Sequence, residues 1–204
     1  MLFAHLVDGG SLQAYNTQML EVILIVIIVL CGLSITWFTL RTGISPMPSS
    51  TKACRTILKA SEQAGRGTII DLGSGWGTLL FALARKYPER PVIGYELSWL
   101  PWIYSQICKT IFGLHNVKTL RQNFLTADLS EAALLVCYLF PRGMSELQQK
   151  LSHGQHPDTL LISSTFALPD NQPSQTIRLD DLYSTPIYIY GKSSGLNRGQ
   201  KDQS

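Results

Sequence analysis

From residue 68 onward, strand-like and helix-like segments alternate along the chain, and this alternation constrains the fold more than any other feature. Short apolar runs predict buried strands at TIIDL, PVIGYEL, VKTLRQ, ALLVCYLF and TLLISSTF. Helical periodicity lies between several of them, in WGTLLFALARKY, LPWIYSQICKTIFG and GMSELQQKLSH. Strands joined through helices form a parallel sheet covered on both faces. The last two runs, TIRLDD and TPIYIYG, have no helix between them, so we expect them to pair as an antiparallel hairpin.

The turn after the first strand is rich in glycine, with the sequence GSGWG. Glycine permits a sharp turn and lets the backbone approach a ligand closely. The following helix adds unpaired N–H groups at its start. In sheets of this kind such a turn lies in the ligand crevice beyond the strand ends. The candidate binding residues in this turn are therefore Gly73, Ser74, Gly75 and Gly77.

Two acidic residues flank this turn in the expected sheet. Asp71 precedes the glycines, where a carboxylate suits the amino group of a methionine moiety. Glu96 ends the second strand, about 20 residues further on, where an acid typically binds ribose hydroxyls. NAD binding uses similar features, but GSGWG lacks the third glycine of G-x-G-x-x-G, and an acid before the glycines suits an α-amino group better than a pyrophosphate. A tight turn with two surface acids is the purely structural alternative.

Asn123 and Phe124 follow the third expected strand. A polar side chain beside an aromatic ring can hold adenine by a hydrogen bond and by stacking. A loop asparagine beside a core phenylalanine explains the same dipeptide equally well, so both interpretations stay open.

Residues 22–40 contain no charged residue, and as a helix they would span roughly 28 Å, about one bilayer core. A signal peptide would have a basic start and a shorter apolar core, and a buried core helix is seldom apolar all round. No Lys or Arg precedes the run, whereas Arg41, Lys52, Arg55 and Lys59 follow it, which predicts a cytoplasmic C-terminal side. No Arg- and Ser-rich transit peptide is evident, which favours a bacterial inner membrane.

These features divide the chain into segments. We expect an extracytoplasmic segment (1–18), a transmembrane helix (19–40), a proline-containing linker with a helix capped by Ser49 or Ser50 (41–66), the catalytic domain (67–191) and a disordered polar tail (192–204). The net charge of +3 is too small to indicate nucleic acid binding. The four cysteines lie far apart, without a CxxC pair, so neither a disulfide framework nor a metal site is expected.

The chain resembles the membrane-anchored seven-β-strand (class I) S-adenosylmethionine-dependent protein-lysine methyltransferases, which include the mitochondrial enzymes that modify the ATP synthase c subunit and the adenine nucleotide translocase. The residues that carry the resemblance are the apolar run with Pro46-x-Pro48-Ser49 after it, the DLGSGWG turn, Gly94-Tyr95-Glu96-Leu97 with the residues 99–104, and Phe166-Ala167-Leu168-Pro169. The family often has an acidic residue where this chain has Trp76, and this departure leaves the substrate open.

The resemblance implies an α/β, Rossmann-like seven-stranded methyltransferase sheet, parallel with a C-terminal antiparallel hairpin and preceded by one N-terminal transmembrane helix. It implies S-adenosylmethionine as cofactor, held by Asp71, the glycine turn, Glu96, Leu97, Asn123 and Phe124. No general base is evident, so we expect catalysis by positioning, with Tyr138, Phe140 and Pro141 shaping an acceptor channel. Proline ending an apolar strand is the structural alternative for the last three residues.

The tether favours an acceptor in the membrane, because it raises the local concentration of embedded substrates. A membrane protein modified on lysine is the first hypothesis. A membrane-associated small molecule or lipid is the second. A non-catalytic membrane adaptor with the same fold is the third. The number of methyl groups transferred and the oligomeric state are left open.

Overall fold

A computed structural model describes residues 9–42, 50–152 and 158–191. The helices are α1 (Gly9–Thr42), α2 (Thr51–Ala60), α3 (Thr78–Lys86), α4 (Trp99–Ile111) and α5 (Pro141–Ser152). The strands are β1 (Thr68–Leu72), β2 (Val92–Tyr95), β3 (Val117–Leu120), β4 (Ala132–Cys137), β5 (Leu160–Ser164), β6 (Gln175–Arg178) and β7 (Pro186–Tyr190). The expected linker prolines, Pro46 and Pro48, and the tail at 192–204 lie outside the described residues.

The strands form one seven-stranded sheet in the order β3-β2-β1-β4-β5-β7-β6. β1 to β5 run parallel, and β7 is antiparallel to both β5 and β6. The predicted parallel sheet with a terminal antiparallel hairpin is therefore confirmed. β1 lies in the centre, where Asp71 pairs with Gly94 of β2 and with Val136 of β4.

Alternate residues of each strand lie on opposite faces of the sheet, and each face has its own hydrophobic core. On one face α2, α3 and α4 cover strand residues such as Ile69, Val92 and Leu134. On the other face α5 contributes Met144, Leu147 and Leu151. Strands that are buried on both faces are apolar along their whole length, which is why the runs seen in the sequence were continuous.

α2 belongs to this packed unit. Its N-cap is Ser50, whose side-chain oxygen accepts a hydrogen bond from the Ala53 N–H at 3.1 Å. Ala53, Ile57 and Ala60 are buried, at the spacing of one helix face. The folded layer thus extends N-terminal to residue 67, where the α/β domain was expected to begin.

α1 begins at Gly9, well before residue 19, where the membrane helix was expected to start. Among the described residues, its segment Tyr15–Leu33 is long and apolar enough to cross a membrane, with a mean hydropathy of 2.1, and none of that window is buried. This exposure distinguishes the segment from the helices that pack on the sheet. A signal sequence near an N-terminus can also reach this length and hydropathy.

The link between β4 and α5 differs from the expectation. β4 ends at Cys137, and Pro141 is the first residue of α5. Proline suits the first helical position, since its missing N–H would have no partner there. Tyr138, Leu139 and Phe140 therefore form a short loop at the carboxyl end of β4, rather than the end of a longer strand.

Candidate functional site

The glycine-rich turn is fixed against the end of β2. The N–H groups of Gly73 and Ser74 both donate to the Tyr95 carbonyl at 2.9 Å. Gly77 follows as the N-cap of α3 with φ +79°, and a Cβ built there would lie 2.6 Å from Cε2 of Phe81. Both the backbone conformation and the close contact require glycine at position 77.

Glu96 holds the open part of the turn. Its Oε2 accepts from the Gly75 N–H at 2.8 Å, and its Oε1 accepts from the Ser98 N–H at 2.7 Å. Gly75 has φ +53°, and a Cβ there would meet no atom within 4 Å, so open space lies beside the turn. Each carboxylate oxygen keeps further acceptor capacity, which ligand hydroxyls in that space can use.

Asp71 lies inside the sheet next to this turn, and only 4% of its surface is exposed. Burial, reinforced by the nearby charge of Glu96, raises the pKa of the Asp71 carboxyl to about 7. Two carboxylates so close to one crevice favour a cationic ligand, because a positive charge between them offsets both burial and repulsion.

Two small residues pack against the glycine turn from below, and the sequence patterns did not assign either of them to the site. A Cβ at Gly94 would lie 2.8 Å from both Ser74 Oγ and Leu80 Cδ2, so the turn and α3 pack directly on the β2 backbone. Ser105 of α4 donates from its hydroxyl to the Gly75 carbonyl at 3.2 Å. A lone glycine inside an apolar strand was the available signal for Gly94; no local signal marked Ser105.

The structure gives Ser74 a different setting from its glycine neighbours. Its hydroxyl is buried against the Gly94 position and has no hydrogen-bond partner among the described residues. Ser74 therefore packs between the turn and β2, whereas Gly75 faces the open space.

The adenine candidates lie beside the ends of β2 and β3. Asn123 accepts from the Leu125 N–H through Oδ1 at 3.0 Å and so caps the 3₁₀ turn Phe124–Thr126. Phe124 is partly buried and packs against the α5-side core. Leu97 is exposed directly after Glu96. The geometry thus shows a structural role for Asn123 and Phe124, and their part in ligand binding stays a prediction.

Aromatic side chains cluster at the ends of β4 and β5. Tyr138 stacks on Phe166 with ring centroids 6.2 Å apart, and Phe140 meets Phe166 edge-on at 5.8 Å. Phe166 stood out in the sequence only as part of a motif, yet it joins the two loops. Thr165 before it has φ +71°, an uncommon conformation for a residue other than glycine. Pro141 is exposed beside this cluster, as the first residue of α5.

These parts meet at one edge of the sheet. β1, β2, β4 and β5 run parallel, so the glycine turn, Glu96 and the aromatic cluster all follow carboxyl ends of neighbouring strands. No group of three metal-ligating side chains was found among the described residues. The two carboxylates and the open turn fit a ligand that carries both an amino group and a sugar diol, as S-adenosylmethionine does.

Comparison with known proteins gives this architecture a family context. The ANTKMT methyltransferase domain matches residues 71–175, about half of the chain. The Homo sapiens lysine N-methyltransferase of the ATP synthase c subunit is 30% identical over 129 residues, which cover 62% of this chain and 54% of the human protein. This chain thus spans about half the length of that relative. A protein-lysine N-methyltransferase of Saccharolobus islandicus is 21% identical over 151 residues, which cover 71% of this chain and 91% of the archaeal protein.

A solved structure shares the fold. The RNA methyltransferase from Salinibacter ruber, crystallised with S-adenosyl-L-homocysteine, superposes with a TM-score of 0.64 at 20% identity, covering 77% of this chain and 98% of that chain. At this identity the likeness concerns the arrangement of helices and strands.

Proposed function

Because this chain belongs to the ANTKMT methyltransferase domain family, we propose that it transfers a methyl group from S-adenosylmethionine to a lysine side chain of a protein. The observation that carries the proposal is the buried Asp71 beside a glycine turn whose open residue, Gly75, is held by Glu96. Relatives named as protein-lysine methyltransferases support lysine as the acceptor.

On this proposal each carboxylate recognises a different part of the cofactor. Asp71, ionised once a cation is present, binds the amino group of the methionine moiety. Glu96 keeps its two backbone hydrogen bonds and accepts from the ribose hydroxyls with its remaining lone pairs. The Gly75 position leaves the space that the ligand needs.

The aromatic cluster prepares the acceptor. Bound S-adenosylmethionine supplies an electrophilic sulfonium methyl group. A free lysine is only about 0.1% neutral near pH 7.4, because its pKa is about 10.4. Tyr138, Phe140 and Phe166 form an apolar wall that disfavours the ammonium form by desolvation and holds the nitrogen in line. Positioning of this kind needs no dedicated general base.

We further propose that α1 crosses a membrane and tethers the domain to its cytoplasmic surface. The apolar, unburied window Tyr15–Leu33 and the basic residues after it support this placement. A tethered domain meets membrane-embedded proteins at a high effective concentration, so the acceptor we propose is a membrane protein.

Two measurements on the full chain in detergent test the proposal. Calorimetry should show binding of S-adenosylhomocysteine that is lost in Asp71→Ala and in Glu96→Ala. Glu89→Ala is the matched control, since Glu89 is an exposed acid before β2, at the opposite edge of the sheet. Binding that survives both site substitutions would refute the assignment of the two carboxylates.

The second measurement follows radiolabelled methyl groups from S-adenosylmethionine into a membrane fraction. Acid-stable label on protein, recovered as methyllysine, supports the proposed acceptor. Label in the organic extract would replace it with a lipid or small molecule. Cofactor binding without any methyl transfer would contradict the proposed activity and favour a non-catalytic adaptor with a methyltransferase fold.

A further inference from the structure

Helix α4 has an inverted pattern of residue sizes. Its buried positions are Pro101, Ser105 and Cys108, which are small or polar. Its exposed face carries large apolar residues at intervals of four, and each is between 41% and 73% exposed. We call this set the outer stripe: Trp99, Ile103, Ile107 and Ile111.

A surface helix of a soluble domain normally turns polar residues outward. The outer stripe does the opposite, and exposed Tyr104 and Phe112 widen it. Lys109 is the only charged residue in α4, and the helix contains no acid. A continuous apolar surface of this kind marks an interaction site.

Cations flank the outer stripe at both ends. The Arg121 guanidinium lies over the Trp99 ring, 4.0 Å from its centroid, and the Arg85 guanidinium lies 4.6 Å from the centroid of Phe112. Both arginines are exposed, so their charge can also reach a partner. Aromatic and aliphatic side chains bordered by cations are typical of helices that lie in the headgroup region of an anionic bilayer.

The position of α4 relative to α1 identifies the partner further. α1, the helix proposed to cross the membrane, contacts α4, yet it leaves the outer stripe exposed. The outer stripe thus belongs to a helix that packs beside the proposed anchor. We propose that the outer stripe inserts into the interface of the anionic bilayer that α1 crosses, so that the domain docks on the membrane rather than hanging from a tether.

Docking of this kind would set the orientation of the candidate site. The inner face of α4 holds the glycine turn through Ser105 and Gly75. A bilayer in contact with the outer face therefore has a fixed distance and angle to the cofactor site. This inference rests on the membrane crossing of α1 that is part of the proposed function. It does not depend on which acceptor is methylated.

The test uses the full chain reconstituted in vesicles that contain brominated phosphatidylglycerol, which quenches tryptophan in the interface. The difference between the wild-type chain and Trp99→Phe isolates the signal of Trp99, and Trp37→Phe isolates the signal of α1. We expect Trp99 to be quenched, and we expect that quenching to weaken when brominated phosphatidylcholine replaces the anionic lipid. Quenching of Trp37 without quenching of Trp99 would overturn the docking and leave the anchor intact.

A pair of matched variants separates docking from folding. Ile103→Ser with Ile107→Ser should abolish most of the Trp99 quenching, whereas S-adenosylhomocysteine binding should be unchanged. Leu182→Ser with Tyr183→Ser is the control, because these residues are exposed and apolar but lie between β6 and β7, at the far end of the sheet from α4. Equal quenching in both double variants would refute the proposal.

Hydrogen exchange of the α4 amides distinguishes a bilayer from a second copy of the chain as the partner of the outer stripe. Protection that requires anionic vesicles supports the bilayer. Protection that instead rises with protein concentration in detergent would assign the face to a second copy of the chain and overturn the inference.

Discussion

Replacing Asp71 with asparagine should stabilise the ligand-free protein while impairing its ligand binding. The carboxyl is buried beside Glu96, and its pKa is raised from 3.8 to about 7. One tenfold change in proton affinity equals about 1.4 kcal/mol, so ionising this group in the folded protein costs on the order of 4 kcal/mol. Asparagine removes that cost but still needs hydrogen bonds for its amide, so about 4 kcal/mol is an upper limit for the gain.

The sign of the pH dependence follows from proton binding. Between pH 4 and 7 the folded protein holds the Asp71 proton, whereas the unfolded chain has released it. The free energy of unfolding of the wild-type protein should therefore fall as pH rises through this range and then level off. Asp71→Asn lacks this contribution, so its advantage over the wild type should grow up to about pH 7 and stay constant above it.

The assay is denaturant unfolding of the full chain in detergent at several pH values, followed by tryptophan fluorescence. The quantity of interest is the difference between wild type and Asp71→Asn at each pH, because other titrating groups cancel in that difference. Glu89→Gln is the matched control, because Glu89 is an exposed acid away from the site. A difference between wild type and Asp71→Asn that is independent of pH would refute the reasoning.

The protonation state of Asp71 should also determine the affinity for the ligand. If the amino group of S-adenosylhomocysteine binds only the ionised carboxylate, its dissociation constant rises roughly tenfold for each pH unit below 7. In Asp71→Asn the affinity should be roughly 10- to 100-fold lower at pH 7.5, the loss typical of a charge-assisted hydrogen bond, and nearly independent of pH. Wild-type affinity that is flat between pH 5.5 and 7.5 would contradict the proposed contact.

Three further substitutions probe other parts of the site. Gly77→Ala combines φ +79° with a contact of 2.6 Å to the Phe81 ring, so we expect thermal unfolding to show a destabilisation of about 1–3 kcal/mol, whereas Gly65→Ala, with open space, should change little. Glu96→Gln presents an amide N–H₂ to one of two backbone donors, so calorimetry should show S-adenosylhomocysteine affinity reduced roughly tenfold or more; unchanged affinity would remove Glu96 from the site. Phe140→Ala should lower kcat for methyl transfer while cofactor affinity and the melting temperature are retained, since the ring is 42% exposed; unchanged turnover would exclude it from the acceptor channel.

The order of strands and helices was predictable because it depends on local patterns. Runs such as TIIDL are short, apolar and followed by glycine, and these properties are written in consecutive residues. Boundaries were less predictable. The end of ALLVCYLF was expected at Phe140 but lies at Cys137, because the pairing of β4 with β1 and β5 stops there and Pro141 starts the next helix.

The residues of the candidate site also differ in whether the sequence predicted them. Asp71, the glycines and Glu96 could be proposed from their spacing, because the carboxyl ends of parallel strands must meet at one edge. The role of Ser105 could not be predicted, and Gly94 stood out only as part of a motif, since the importance of both comes from close contacts with Ser74 and Gly75, far away in the chain.

By itself, the sequence determined the layered α/β sheet with its terminal hairpin, the long apolar helix and the family resemblance, all of which rest on local periodicity and on motifs of contiguous residues. Only the tertiary structure decided that the Asp71 carboxyl is buried next to Glu96, that Phe166 joins Tyr138 and Phe140, and that α4 turns its large apolar residues outward. These properties depend on which distant segments pack together. Periodicity shows that a helix has an apolar face, but only packing decides whether that face meets the core or the surroundings.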